Sequence, residues 1–186
     1  PGPNMETLDT SSVENMDYTF AESNYTARDL SGWNTSNVKS MNGTFYNAGI
    51  DLNINNWDVS NVTSMVETFS KSVFRTSITD WEPTSVLTID RFLAGAALDY
   101  NTISNLNFAS VTSVKDMFKS TVPNSNHGSG KVVKLTNWTF GALTDPTDMF
   151  TDTVLHEADL SGWTFSALTD VSHGNMFSNH IFDATN

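Results

Sequence analysis

Six short polar residues flank three evenly spaced apolar anchors. Asn56 and Asp58 flank Trp57, Asp80 and Glu82 flank Trp81, and Asn105 and Asn107 flank Leu106. Carboxylates accept hydrogen bonds, and carboxamides both donate and accept. A row of such groups suits sugar hydroxyls or a polar peptide; the competing reading is a solvated face. A second set lies in the stretch 121–134, where Asn124, Asn126, His127 and Lys131 stand among Pro, Gly and Ser. That composition predicts an irregular loop. It is either a recognition loop or an insertion tolerated because long surface loops add little closure entropy.

Other chemistries find less support. The four histidines, His127, His156, His173 and His180, show no i, i+4 pairing of the kind a helical zinc site uses. Asp145, Asp148 and Asp152 share one helix face by spacing but match no calcium-binding loop. No nucleophile elbow, phosphate-binding loop or dinucleotide fingerprint is present. Cysteine is absent, which excludes disulfides, thiolate metal ligands and a cysteine nucleophile. The expectation is a protein that is not an enzyme, with no catalytic residue, metal or cofactor. Tyr18, Tyr25, Tyr46, Phe74 and Tyr100 lie off the anchor slots and could stack on sugar rings or pack beneath loops.

Charge narrows the partners. The chain has 186 residues, with 9 Lys and Arg against 21 Asp and Glu, a net charge of −12. Such a chain is not expected to bind nucleic acid by neutralising phosphates or to lie on an anionic membrane. No run of about 18 apolar residues occurs, so no direct membrane insertion is expected. The charge is uneven: residues 1–27 hold 5 acids and residues 135–186 hold 7, with no Lys or Arg in either. Acidic ends would discourage end-to-end stacking.

The elements that position these groups follow from a repeat. Trp33, Trp57 and Trp81 are spaced by 24, and Trp138 and Trp163 by 25. Leu8 and Leu106 fill the missing anchor slots, giving seven units with one long spacing of 32 before Trp138. Apolar residues recur 5, 8 and 12 positions after most anchors, as in Val62, Met65 and Phe69. That i, i+3, i+7 stripe predicts a short helix, capped by Ser, Thr or Asn as in Thr35-Ser36-Asn37. Ser11 and Glu14 have capping-box spacing. Alternation at Trp57/Val59 predicts a short strand at the anchor, where Pro83 would remove one ladder donor. The fold class expected is an α/β repeat solenoid of about seven coils, each a short strand plus a short helix. Residues 1–4, Pro1-Gly2-Pro3 among them, read as a tag scar or linker. Residues 5–186 read as one solenoid domain with an insertion at 121–134.

The run Leu30-Ser31-Gly32-Trp33-Asn34-Thr35-Ser36-Asn37-Val38-Lys39-Ser40-Met41 resembles the repeat of BspA-like leucine-rich-repeat surface proteins. That repeat was first catalogued as a domain of unknown function in mycoplasma lipoproteins. Asn56-Trp57-Asp58-Val59-Ser60-Asn61-Val62-Thr63-Ser64-Met65 and the pairs Met117-Phe118, Met149-Phe150 and Met176-Phe177 fit the same pattern. The resemblance implies a leucine-rich-repeat-like fold, an extracellular or bacterial cell-surface location and a role in adhesion. The expected partner is a cell-surface glycan or protein, and a homo-oligomer stays open. A structural or oligomerising segment of a surface fibre is the alternative.

Overall fold

The computed structural model describes residues 4–98, 103–123, 135–153, 159–171 and 175–178, the side chains of 25–27 and 123 excepted. Successive repeats lie side by side in parallel. Strands β1 (Asn24–Asp29), β2 (Gly49–Asn53), β3 (Val73–Phe74), β4 (Ala97–Leu98) and β5 (Val122–Pro123) form one parallel sheet in chain order. Strands β6 (Thr139–Phe140) and β7 (Thr164–Phe165) form a second parallel pair. A further ladder of single parallel bridges runs Asn15, Ser40, Ser64, Thr88, Ser113.

The expected helix does not form among the described residues. The only helical segment among the described residues is a 3-10 turn at Met5–Thr7, so the α/β solenoid of strand-plus-helix coils, leucine-rich-repeat-like, is not what forms. The backbone hydrogen bonds supply the reason. Met41, Gly43, Phe45 and Asn47 donate their amides to Ser64, Val66, Thr68 and Ser70 of the next repeat at 2.8–3.0 Å. A helix would commit those amides to carbonyls four residues back in its own segment. Each four-residue step is instead a turn, such as Met41–Thr44 or Phe69–Ser72. Its third residue is left-handed: Gly43, Lys71, Arg91, Asp116, Ser120 and Asp148 all have φ between 54° and 60°. This is the mark of a type II turn and is foreign to a helix interior. Two consecutive four-residue turns place Met65 and Phe69 on one side, a period close enough to 3.6 to imitate a helix.

Strands lie at the anchors as expected only in the last two repeats, where β6 and β7 directly follow Trp138 and Trp163. In the first five repeats the sheet lies in the return half, while Trp57 and Val62 close turns onto Ile54 and Val59. Pro83 is therefore harmless: it is buried and accepts a turn bond from Val86. The capping expectation fails likewise. Ser11 takes a bond from its amide to Asp9, and Glu14 pairs with Lys39 at 2.7 Å. Asn37 and Asn61 bond carbonyls of the preceding repeat.

The periodic slots do form the core. Trp57, Val59, Val62, Met65 and Phe69 are at most 2% exposed. Rings stack in columns at roughly the spacing of adjacent strands: Phe20–Phe45 and Phe45–Phe69 at 5.3 Å, Trp33–Trp57 at 5.8 Å and Trp138–Trp163 at 5.4 Å. Where Leu93 and Leu106 interrupt both columns, Phe92 and Phe108 step in. They link Phe69 to Trp138 by edge contacts of 5.2, 5.9 and 5.5 Å. Every tryptophan donates its indole N–H to a main-chain carbonyl near the preceding anchor, as Trp57 to Leu30 at 3.0 Å.

Polar composition has a structural use here. Ser, Thr and Asn make up 66 of 186 residues. All nine buried hydroxyl residues among the described ones, Thr44 and Thr68 among them, donate to a main-chain carbonyl. Buried polar groups are thus satisfied, and most of these bonds join neighbouring repeats.

Candidate functional site

Parallel stacking sets the residues before each anchor in one row and those after it in another. Asn56, Asp58, Asp80, Glu82, Asn105 and Asn107 are all exposed. The row before the anchors is tied across repeats. Asn55 donates its carboxamide to Asp80 at 2.6 Å, and Asn137 donates to Asn105 at 2.9 Å. Asn56 donates to the Ser31 carbonyl at 3.0 Å. In the row after the anchors, Asp58 Oδ1 accepts from the Ser60 hydroxyl at 2.6 Å and amide at 3.0 Å. Those bonds, the hydroxyl's first, hold the Asp58 carboxyl below its ordinary range. Asn107 bridges Thr139 in the next repeat. The candidates flank successive stacked anchors, although only Asn107 joins a strand pairing and the others lie outside the expected sheet face.

An open cleft of about 420 Å³ borders the strip, lined by Arg28, Asp29, Asp51, Asn53, Asn55 and Arg75 among others. The two meet where Asn55 of the cleft bonds Asp80 of the strip. Asp29 accepts from Ser31 and from Asn53 at 3.0 Å each. Carboxylates, amides and guanidinium groups meet here on one surface, which suits a ligand rich in hydroxyls or amides and gives little to an apolar one.

The remaining expectations divide. Asn124, Asn126, His127 and Lys131 lie outside the described residues, as do the other three histidines and Tyr100. Asp145, Asp148 and Asp152 do not share a helix face. Asp145 accepts from Thr147 at 2.9 Å, Asp148 from Thr151 at 3.2 Å, and Asp148 and Asp152 are themselves left-handed turn residues. No group of three potential metal ligands occurs among the described residues. Phe74 is buried in β3, whereas Tyr18 is 56% exposed and Tyr46 half-buried.

A second cleft, on the turn side, escaped the sequence reading. It gathers Tyr46, Lys71, Arg91 and Lys119, with the carboxylate Glu67 among them. The cations stand at different offsets from their anchors, so aligning the repeats does not place them in one column. Only the run of small residues at Ser70, Ala94, Gly95 and Ser120 hints at a hollow.

Fold and surface together define a protein of parallel-stacked short repeats, its polar ladders exposed along the stack. The family model described as "Mycoplasma protein of unknown function, DUF285" matches residues 3–69, 49–131 and 74–183, and the chain belongs to that family. Three overlapping matches follow from the repeat itself. No curated protein and no solved structure matches the chain. No helix among the described residues is long and apolar enough to cross a membrane.

Proposed function

We propose that this protein is a non-catalytic recognition module of a bacterial cell surface, binding a polar ligand, a glycan or a protein, along the strip from Asn56 to Asn107. The observation that carries this reading is the registered, exposed row of carboxylates and amides beside a polar cleft. Asn56, Asp80 and Asn105 are held by neighbouring repeats and Asp58 by Ser60 of its own, so these groups need little ordering on binding. Membership of the mycoplasma family and the resemblance to BspA-like surface proteins support a surface location.

A glycan array run beside cell-binding assays tests this. The double variant Asp58→Ala/Asp80→Ala should abolish binding while stability moves by about 0.5 kcal/mol or less per site. Loss on deleting 123–130, with the double variant unaffected, would move the site to the insertion. Binding unaffected in both would favour a spacer or oligomerising segment of a surface fibre. One feature supports that alternative: Val171, in the last described repeat, is 64% exposed. Solution molar mass separates the two.

A further inference from the structure

The turn-side cleft has a volume of about 430 Å³ and a composition unlike the rest of the molecule. Three of the nine cations of a chain with net charge −12 meet there. Lys71, Arg91 and Lys119 come from three successive repeats, 14, 10 and 13 residues after their anchors. The floor is made of small residues. In the slot that Lys71 occupies, the next two repeats place Gly95 and Ser120. A Cβ on Gly95 would lie 3.4 Å from Lys71 Cγ, so its absence opens the hollow beside the lysine stem.

Three cations meet Glu67 in the lining and Asp116 beside Lys119, an excess of one positive charge. Lys71 Nζ donates to the Tyr46 phenol oxygen at 2.6 Å and lies 5.0 Å from that ring's centroid. Lys71 takes part in none of the ion pairs among the described residues. With its oxygen accepting from the ammonium, the Tyr46 hydroxyl still has a proton to donate. Arg91 gives Nε to Glu67 at 2.6 Å and keeps its terminal nitrogens for a second acceptor. Lys119 pairs with Asp116 at 3.3 Å and retains further N–H donors. The donors left over suit one anionic acceptor.

We propose that this cleft binds a single carboxylate carried on a sugar ring, the anion meeting Lys71, Tyr46, Arg91 and Lys119 and the ring lying against Tyr46 and the Ala94–Gly95 floor. Charge-assisted hydrogen bonds fix the carboxylate, and the half-buried aromatic ring offers an apolar face with a polar tip. A long polyanion fits less well, because the surrounding acidic chain repels it. A single charge feels only the groups within about one Debye length, roughly 10 Å at 0.1 M salt. The site differs from the strip in its residues and in the charge of its ligand.

Calorimetric titration of the full chain with D-glucuronate, and with D-glucose as the uncharged counterpart, tests the proposal. Saturable glucuronate binding, about tenfold or more tighter than glucose, is expected. Lys71→Asn, chosen because Asn tolerates a left-handed backbone, should weaken it about tenfold, and Lys71→Arg should retain most of it. Asp58→Ala/Asp80→Ala should leave glucuronate binding unchanged. Should Lys71→Asn lose its native near-ultraviolet circular dichroism, the exposed-site variant Lys119→Gln carries the test. Absence of saturable glucuronate binding, equal affinity for glucose, or full binding by a folded Lys71→Asn or Lys119→Gln would overturn the proposal. So would loss of binding in the strip variant, or a heparin-type polymer that outbinds glucuronate and is indifferent to Lys71→Asn.

Discussion

Trp57 combines two contributions that substitution can separate. Its ring is buried between Trp33 and Trp81, and its N–H satisfies the Leu30 carbonyl. Trp57→Ala should lower stability by about 3–5 kcal/mol in urea unfolding, from lost transfer energy and a residual cavity. Thr68→Val keeps the shape but removes the donor to the Met41 carbonyl, and should lower stability by about 1–2 kcal/mol. Asp9, Asp29 and Asp58 each accept from a serine two residues on, and these bonds depress their carboxyl pKa values. A carboxyl with a lowered folded value contributes fully above its unfolded value, about 4, and loses that contribution as pH falls through the folded value. Urea midpoints should therefore fall below about pH 4, and fall less steeply in Asp58→Asn. An identical slope in that variant would remove Asp58 from the account.

Among the elements, the left-handed turns make the sharpest prediction. In the expected helix, Ser120→Gly would lower stability by about 0.5–1 kcal/mol. In the turn, Ser120 has φ 55°, a conformation strained for L-residues and open to glycine. The substitution should leave stability unchanged or raise it by up to about 1 kcal/mol, since relief of strain competes with the greater freedom of the unfolded chain. A clear loss in urea unfolding would argue for helix at this position. The stripe Val62, Met65, Phe69 cannot distinguish these cases, because two four-residue turns and two helical turns bury nearly the same positions. What separates them is where alternate amides go, and that requires the neighbouring repeat.

For the whole molecule, charge and stacking oppose each other. Parallel repeats leave strand edges at the ends of the stack, and edges invite pairing with another copy. Acidic ends resist this, although the N-terminal acids are partly offset: Glu6 pairs with Arg28 at 3.8 Å and Glu14 with Lys39. These are exposed pairs of small worth, and they leave the net charge in place. Bringing the pH toward the isoelectric value, about 4.4, or raising salt at pH 7, should promote association seen by light scattering. A molar mass that stays monomeric under both conditions would leave the charge as an aid to solubility alone.

Period, register and core were legible from the sequence alone. Trp57, Val59, Val62, Met65 and Phe69 recur because each repeat must bury the same slots against its neighbours, and burial leaves its mark in residue type. The rows from Asn56 to Asn107 were legible for the same reason, since positions beside a buried anchor face outward. The element type was not legible. Helix and turn differ in the partner of each amide, and Met41 finds its partner 23 residues away in Ser64. Nor was the basic cleft, because Lys71, Arg91 and Lys119 occupy three different slots. Only stacking at the strand spacing, about 4.8 Å per repeat, brings them around one small-residue floor.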